Sequence, residues 1–416
     1  MADKLFLLII CMVCIGYLIG AILKFYNNLW RKKPIPDEIS DVYSIDKYIQ
    51  YQEYKRETYK FSVITSTLSL ILTLIMLFVG FSLVDSVIRT YLSNEIWISI
   101  AFFGVIGFLS DIVSTPFDIY ETFVIEQKYG FNTMTKRTFI LDKLKSYLLA
   151  VIIGVPVLFL IIWFYQSFSD NFWWMTWILI SIISIALSYL YSNLIVPVFN
   201  KQTPLEEGEL KNNIEKLASK TKFNLQNVYV IDGSKRSSRA NAYFSGFGSK
   251  KRIVLYDTLI KTLSIDEIVS VLAHEIGHYK RKHTIKGLIL SILQTGFLLF
   301  LLSVIIDADV IYESLGTPAS FHIGVIIFII LYSPVSFIIS LGMNHLSRQH
   351  EYQADFYAKE HSSADALISG LKSLTSNNMS DLTPHPWYVW AYYSHPPLLK
   401  RIRAISYPKH KKLEEL

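Results

Sequence analysis

The amino-acid sequence predicts a mainly α-helical, multipass membrane protein with a small α+β portion outside the membrane. Hydrophobic residues make up 52% of the 416 residues and charged residues only 18%, and the mean hydropathy is +0.35. This composition is typical of polytopic membrane proteins. Seven segments are long and apolar enough to cross a bilayer, and most charged residues fall between them. These observations argue against two soluble domains, although the chain is long enough for two.

Each predicted span has the length needed to cross roughly 30 Å of hydrocarbon. The first span follows Lys4 and resembles a signal peptide, but its apolar run is longer and no small-residue cleavage site follows it. We therefore expect it to be a membrane helix. The seven predicted spans are Leu5 to Leu23, Phe61 to Val84, Ile96 to Phe117, Tyr147 to Tyr165, Trp173 to Val196, Ile285 to Ile306 and Phe321 to Met343.

The distribution of lysine and arginine predicts the orientation of these spans. Of the 40 basic residues, 37 lie in residues 24–60, 118–146 and 201–283 and after residue 344. The three other loops contain only Arg89. Because cytoplasmic loops carry the excess of basic residues, we expect the N-terminus outside and the C-terminus in the cytoplasm. An even number of spans would break this alternation.

Several acidic residues lie next to or inside the third span, where an ionisable group is costly unless it faces a wet interior. They indicate either a water-filled cavity or a helix that emerges into the cytoplasm, and the sequence leaves both interpretations open. The residues are Asp111, Asp118, Glu121 and Glu126.

The predicted partner of most of the chain is the lipid bilayer. The formal net charge of +6 is modest, and we expect no nucleic-acid partner. The two cysteines, Cys11 and Cys14, lie in the first apolar run, where we interpret them as filler of a lipid-facing helix and not as a redox or metal site.

Residues 201–283 form the largest predicted soluble segment. A helix is predicted from Leu205 to Lys220, where apolar residues recur at helical spacing. Strands are predicted at Asn227 to Ile231, at Asn241 to Phe244 and, after Gly246-Phe247-Gly248, at Lys251 to Tyr256. Such a sheet either pairs with an extended peptide at its edge or simply supports the helix that follows.

That helix contains the motif His274-Glu275-Ile276-Gly277-His278. In a helix, His274 and His278 lie one turn apart on the same face, where two imidazoles can bind one Zn²⁺. Zinc lowers the pKa of its water to about 7, and the Glu275 carboxylate can accept the proton during attack on a carbonyl. The blander interpretation is a helix with two solvated histidines and a surface glutamate.

The start of the motif helix is predicted by a capping box, Ser264 to Glu267. No proline interrupts residues 264–300, so we expect this helix to continue straight into the sixth span. The zinc site would then lie at the cytoplasmic membrane interface. His283 would project from another part of the helix surface, as a membrane-interface residue.

Catalytic zinc takes three protein ligands, and the best third candidate is Glu351, on a predicted helical stretch after the seventh span. Asp355 lies one turn further on, where it can accept the free N–H of a ligating histidine. His350 and His345 compete with Glu351 as ligand candidates.

Several stretches together resemble the CAAX prenyl protease 1 family, integral-membrane zinc metalloproteases of the gluzincin type. They follow one another in the expected order along most of the chain. The stretches are Phe123-Val-Ile-Glu126 with Gly130-Phe-Asn132, Pro197-Val-Phe-Asn-Lys201 with Thr203-Pro-Leu205, Asn241-Ala-Tyr-Phe244, Lys251-Arg-Ile-Val-Leu-Tyr-Asp257, the motif at 274–278, Glu351-Tyr-Gln-Ala-Asp355 and Ser394-His-Pro-Pro397.

The resemblance implies a role for each matching residue. His274, His278 and Glu351 would be the zinc ligands, and Glu275 the general base. Asp355 would orient a ligating histidine. His395 would stabilise the oxyanion, Arg401 would fix the carboxylates or the substrate, and Asn241 would hold the substrate backbone along an edge strand. From the residues alone, His395 reads equally as a surface histidine in a proline turn.

The resemblance also implies the fold: seven transmembrane helices that enclose a chamber, with a small cytoplasmic α+β zinc-metalloprotease portion. We expect five transmembrane helices in residues 1–200, the metalloprotease segment in 201–283 and helices six and seven in 284–343. A cytoplasmic C-terminal segment in 344–416 would supply the third ligand.

The implied activity is a zinc endopeptidase, with one Zn²⁺ per chain, acting on membrane-associated or prenylated CAAX-type polypeptides. Eukaryotic members remove the last three residues of such chains. The chain is short for a eukaryotic member, and residues 410–416 are not an obvious retrieval signal, so we expect a bacterial inner membrane rather than the endoplasmic reticulum.

Two other functions compete with this one. The first is a quality-control protease of the HtpX type, which shares the reaction but not the substrate. The second is a non-enzymatic transporter in which intramembrane charges line a pathway. A site-2 type intramembrane protease is disfavoured, because its motif would lie inside a span and pair with a later aspartate.

Overall fold

The computed structural model describes residues 1–223, 225, 227–245 and 252–407. Seven of its helices are long and apolar enough to cross a membrane, which confirms the predicted number of spans. The first five are α1 (Ala2–Trp30), α2 (Ile45–Arg89), α3 (Glu95–Glu126), α4 (Lys136–Ser167) and α5 (Ser169–Phe199).

The part between the fifth and sixth membrane helices is a small α+β unit. Its elements are β1 (Gln202–Pro204), α6 (Glu209–Lys220), β2 (Asn227–Ile231), β3 (Ala242–Ser245), β4 (Arg252–Tyr256), α7 (Asp257–Thr262) and α8 (Ile265–Lys280).

The last two membrane helices and four shorter helices complete the described chain. They are α9 (His283–Ile305), α10 (Asp309–Leu315), α11 (Phe321–His361), α12 (Ala364–Asn377), α13 (Pro386–Tyr392) and α14 (Leu398–Ser406).

Several membrane helices extend well beyond their apolar cores. Helix α2 begins 16 residues before the predicted Phe61, and α11 ends 18 residues after the predicted Met343. Apolar composition therefore locates the membrane-crossing part but not the helix end, because a polar extension continues the same backbone hydrogen-bonding pattern. This matters for function, because the extension of α11 carries Glu351 and Asp355.

The four strands form one sheet in the order β1-β2-β4-β3. Strands β2 and β4 are parallel, while β1 and β3 each pair antiparallel with their neighbours. The predicted strand from Asn227 to Ile231 is confirmed, and the other two shift by one residue at most within the described chain. Lys251 and the Gly246-Phe247-Gly248 turn lie outside the described residues. Because β3 pairs with β4 alone in the described part of the chain, it is an edge strand there.

The helix predicted from Leu205 to Lys220 begins only at Glu209, so its predicted start was wrong. The residues before it extend the sheet instead: β1 pairs with β2, and the Leu205 N–H donates to the Val228 carbonyl at 2.9 Å. Pairing with β2 therefore satisfies backbone groups that a helix would otherwise have used.

The prediction that the motif helix runs straight into the sixth span was also wrong. Helix α8 ends at Lys280 and α9 begins at His283, after Lys282 takes up a left-handed conformation with φ of 58°. One such residue costs roughly 1–2 kcal/mol and redirects the chain without a proline or glycine. It places His283 beside His278, where its side chain is buried.

The four acidic residues of the third membrane helix do not line the large cavity described below. Asp111 accepts hydrogen bonds from Lys143 of α4 at 2.8 and 3.0 Å. Glu126 pairs with Arg239 at 2.9 Å and accepts from the Tyr54 hydroxyl at 2.7 Å. Asp111 and Glu126 therefore hold neighbouring segments of the fold together.

The core beneath the α+β unit joins the sheet to the helices around the motif. Ile253 and Leu255 of β4, Leu272 and Ile276 of α8 and Ala358 of α11 are nearly or completely buried in it. Burying each of the four isoleucine and leucine side chains stabilises the fold by about 1.5–3 kcal/mol. This packing fixes α8 against α11 and so determines the geometry of the site.

Candidate metal centre

Two crossing helices, α8 and α11, bring the predicted ligands together. The capping box predicted at Ser264 is present: Glu267 N–H donates to the Ser264 hydroxyl at 3.4 Å, and the Glu267 carboxylate accepts from Ser264 N–H at 2.8 Å. Gly277 lies at the crossing, where a Cβ would stand 3.1 Å from Ala354 Cα and 3.0 Å from Tyr357 Cβ. The glycine thus permits the close approach of the helices.

The three predicted ligands form one cluster at this crossing. His278 Nε2 lies 3.1 Å from His274 Nε2 and 3.2 Å from Glu351 Oε1, and His274 Nε2 lies 3.6 Å from Glu351 Oε2. His274 and Glu351 are buried, and His278 is partly buried. In the described part of the chain, this is the group of histidine and acidic side chains whose spacing suits a metal ion.

Asp355 and Arg401 orient His274 through hydrogen bonds on the side of its ring opposite the cluster. The Asp355 carboxylate accepts from His274 Nδ1 at 2.8 Å and from Arg401 Nε and Nη2 at 2.8 and 2.6 Å. A donor at Nδ1 leaves the Nε2 lone pair of His274 free for a metal. Burial alone would lower the pKa of Arg401, but the Asp355 carboxylate outweighs it and raises that pKa.

His283 contacts the second ligand candidate, so the prediction that it would project from another part of the helix surface was wrong. Its place at the membrane interface stays a prediction. Its Nδ1 lies 3.0 Å from His278 Nδ1, and its Nε2 lies 3.1 Å from the Gln353 side-chain oxygen. The imidazole of His350 stacks on it with ring centroids 3.9 Å apart. If His283 Nε2–H donates to Gln353, then His283 Nδ1 accepts from His278 Nδ1–H, and His278 Nε2 remains unprotonated.

Neither competing ligand candidate joins the cluster among the described residues. His350 lines the same cavity but stacks on His283. His345 is exposed. Glu351 is therefore the third donor that the geometry selects.

Glu275 and His395 face a large cavity beside the cluster. The cavity has a volume of about 1410 Å³ and is lined by both residues, by the three clustered donors and by Asn241. Burial raises the pKa of the Glu275 carboxyl. His395 is 66% exposed at its side chain, and its Nε2 lies 3.3 Å from Glu351 Oε1. All eight predicted site residues therefore lie at or around one cavity.

Asn241 stands at the start of the edge strand β3. Its carbonyl accepts from the Tyr256 N–H at 3.1 Å, and its side-chain oxygen accepts from the Ala242 N–H at 2.8 Å. Ala242 and Tyr243 line the cavity with it. An extended peptide in the cavity can therefore reach the edge of the sheet.

The donor set fits a tetrahedral zinc ion. Ligand atoms on such an ion, with bonds of about 2.0–2.1 Å, lie roughly 3.3 Å apart, close to the three separations in the cluster. Glu351 Oε2 is buried without a hydrogen-bond partner in the described structure, although charged neighbours stand 3.5–3.6 Å away. A buried carboxylate oxygen without a hydrogen bond is costly, and a cation at this position would satisfy it.

Comparison with known proteins identifies the family of the chain. Residues 25–201 match the family model "CAAX prenyl protease N-terminal, five membrane helices", and residues 204–409 match "Peptidase family M48". The chain is 35% identical to CAAX prenyl protease 1 of Saccharomyces cerevisiae over 93% of its own length and 91% of the relative. This chain belongs to the CAAX prenyl protease 1 family.

Other members of the CAAX prenyl protease 1 family resemble the chain to a similar degree. It is 41% identical to the Arabidopsis thaliana homologue over 75% of the chain and 74% of that protein. The crystal structure of S. mikatae Ste24p aligns with a TM-score of 0.91 at 32% identity, covering 97% of this chain and 99% of the other. Membership identifies the chain as a multipass membrane metalloendopeptidase.

Proposed function

We propose that this protein is a zinc-dependent endopeptidase that hydrolyses peptide bonds of membrane-associated, prenylated CAAX-type polypeptides. The observation that carries the proposal is the cluster of His274, His278 and Glu351, which opens on a cavity shared by the α+β unit and three membrane helices. A peptide can therefore reach the metal centre while a lipid attached to it stays near the membrane.

His274, His278 and Glu351 would hold the zinc ion, and Asp355 and His283 would orient the two imidazoles. Zinc held there would supply Lewis-acid chemistry to the peptide carbonyl and to the attacking water. All three donors line the cavity, so zinc held by them would be accessible to a peptide there, as a catalytic site requires.

Glu275 would act as the general base and then as the general acid. Its carboxylate would take a proton from the attacking water as the oxygen bonds to the carbonyl carbon. It would return that proton to the amine when the C–N bond breaks. His395, which reaches into the same cavity, would donate a hydrogen bond to the carbonyl oxygen as negative charge develops on it. Asn241 and β3 would hold the substrate backbone.

The cavity lining supports a lipid-bearing substrate. Apolar side chains from α5, α9 and α11 form one wall: Leu187, Ile285, Leu290, Met343 and Leu346. A prenyl chain placed along this wall would be removed from water while the adjacent peptide reaches Glu275. The relatives named CAAX prenyl proteases support the same substrate class.

We further propose that the metal centre faces the cytoplasm, with the N-terminus of α1 on the opposite side. The distribution of basic residues supports this orientation, since the loops on the side of the α+β unit carry nearly all of them. Whether the membrane is a bacterial inner membrane, as the sequence suggested, or the endoplasmic reticulum stays a prediction, which localisation of a tagged chain tests.

The test is cleavage of matched peptides by the purified protein. A farnesylated CAAX peptide, its unprenylated form and an unrelated membrane-protein fragment are incubated with protein, with and without a zinc chelator. We expect chelator-sensitive cleavage of the farnesylated peptide with the highest kcat/KM. Preference for the unrelated fragment would indicate quality control instead, and no cleavage with no bound zinc would favour a transporter.

A further inference from the structure

A second cavity adjoins the catalytic one on the far side of His395. Its volume is about 600 Å³, within the range of roughly 300–1,000 Å³ typical of ligand sites, and it is formed by α2, α12 and residues 392–401. Four residues line both cavities, namely Leu371, Asn378, His395 and Arg401. A chain that passes His395 can therefore continue into this second cavity.

The second cavity contains a cation that the fold does not use. Lys55 projects into it from α2, and its ammonium group has no ion pair or hydrogen bond in the described part of the chain. Its recorded contacts are the rings of Tyr54 and Tyr51, whose centroids lie 5.5 and 6.0 Å away. Arg401 also lines this cavity but is committed to Asp355.

The carboxylate in this cavity already has its own donors. Asp381 accepts from the Tyr51 hydroxyl at 2.9 Å, from Asn27 Nδ2 at 3.3 Å and from Thr383 N–H at 3.4 Å. The charges of Asp381 and Lys55 attract each other through space, but no ion pair within 4.0 Å joins them among the described residues. The uncommitted positive charge in the cavity belongs to Lys55.

Asn378 supplies an independent sign of a peptide ligand. Its side-chain oxygen is buried without a hydrogen-bond partner among the described residues, and the residue lines both cavities. An orphaned buried acceptor destabilises the fold unless a donor reaches it. A backbone N–H of a bound peptide would satisfy it.

We propose that the second cavity binds the C-terminal residues of the substrate, with Lys55 Nζ pairing with the α-carboxylate and Asn378 Oδ1 accepting a backbone N–H. The inference rests on the proposed function, since an enzyme that cuts near a chain end needs a means to recognise that end. The lipid-bearing side of the scissile bond would then occupy the catalytic cavity, whose wall comes from membrane helices.

The test compares two farnesylated peptides of one sequence, one ending in a free carboxylate and the other in a carboxamide. Full-length wild-type protein is expected to prefer the free acid by about tenfold in kcat/KM, the size of a hydrogen bond to a charged group. Lys55→Met should reduce hydrolysis of the acid to that of the amide and leave the amide within about twofold. Lys55→Arg should restore part of the preference.

Lys60→Met is the matched control, because Lys60 is exposed on the same helix and does not line the second cavity. It should keep the wild-type preference. Equal cleavage of acid and amide by wild-type protein would overturn the inference and leave the proposed function intact. A parallel loss of both activities in Lys55→Met would make Lys55 structural and would also overturn it.

Failure of the proposed function gives a different result. If the protein cuts unprenylated peptides and not farnesylated ones, the prenylated substrate class is wrong. The acid and amide forms of the unprenylated peptide then test Lys55 in the same way.

Discussion

His274 and His322 are both buried histidines, each with a carboxylate oxygen 2.8 Å from a ring nitrogen, Asp355 for the first and Asp85 for the second. His322 lies in the first turn of α11 and Glu351 lies near its end, roughly 40 Å further along at 1.5 Å per residue. The Asp85–His322 cluster therefore lies far from the metal centre.

The two clusters differ in what they leave unsatisfied. The second nitrogen of His322 is paired with the Ser99 hydroxyl at 3.0 Å, and Asp85 also accepts from Arg89 Nε at 2.9 Å. His322 has no exposed surface. In the metal centre, by contrast, His274 Nε2 faces another imidazole, and Glu351 Oε2 has no hydrogen bond among the described residues. A buried histidine–carboxylate pair occurs in both clusters. What distinguishes the candidate metal centre is that ligand atoms without a hydrogen-bond donor lie beside a cavity.

The largest expected difference between the two clusters is in turnover, which depends on Glu275 beside the metal centre. Glu275→Gln keeps the size of the side chain and removes the base, so kcat should fall by roughly 10²–10⁴-fold while zinc is retained. Peptide cleavage and metal analysis of the same sample measure both. The exposed Glu206→Gln serves as the control. A nearly active Glu275→Gln enzyme would eliminate the assigned role.

The next effect is on metal affinity. His283→Leu removes the partner of His278 Nδ1, and loss of such a partner typically weakens metal binding by about 10–100-fold. Competition with a chromophoric chelator measures it. His345→Leu, on the exposed surface of α11, should bind zinc as wild type does. Unchanged affinity in His283→Leu would show that His278 needs no such support.

The sequence predicted the three side chains that the structure brings together at the candidate metal centre, because the spacing of His274 and His278 and that of Glu351 and Asp355 follow helical periodicity; their role as zinc ligands stays a prediction. It could not predict the place of His283, because that depends on a single left-handed residue, Lys282. No local pattern marks a lysine for that conformation. The number of spans followed from hydropathy, but the polar extension of α11 did not.

The Asp85–His322 cluster could not be predicted either. Its two partners are 237 residues apart in the chain, and neither belongs to a motif. Only the packing of α2, α3 and α11 brings them together. Asn378 and Lys55 were missed for the same reason, since the second cavity exists only where distant segments meet.

At the Asp85–His322 cluster we expect a smaller effect, confined to stability. His322→Leu leaves Asp85 paired with Arg89 but without its histidine partner, which should lower the free energy of unfolding by about 1–3 kcal/mol. Thermal unfolding in detergent, followed by intrinsic fluorescence, measures the change. Cleavage per folded molecule should equal that of wild type. Loss of turnover in fully folded His322→Leu protein would mean that the two clusters are coupled.

The last prediction concerns the pH dependence of zinc binding. Burial works against protonation of His274, but the hydrogen bond to Asp355 outweighs it and raises the pKa of His274 above its ordinary value of 6.5. Zinc binds the neutral imidazole, so protons compete with it as the pH falls through that raised pKa. Apparent zinc affinity should then decline about tenfold per pH unit. Affinity that stays constant down to pH 6.5 would contradict this.

The most direct test of the central claim is the zinc content of three purified proteins, measured by elemental analysis. Wild type and His322→Leu should each hold about one zinc per chain, because both ring nitrogens of His322 are already hydrogen-bonded and the Asp85–His322 cluster binds no metal. Glu351→Ala should lose most of its zinc. Full zinc in Glu351→Ala, or its loss in folded His322→Leu, would contradict the account.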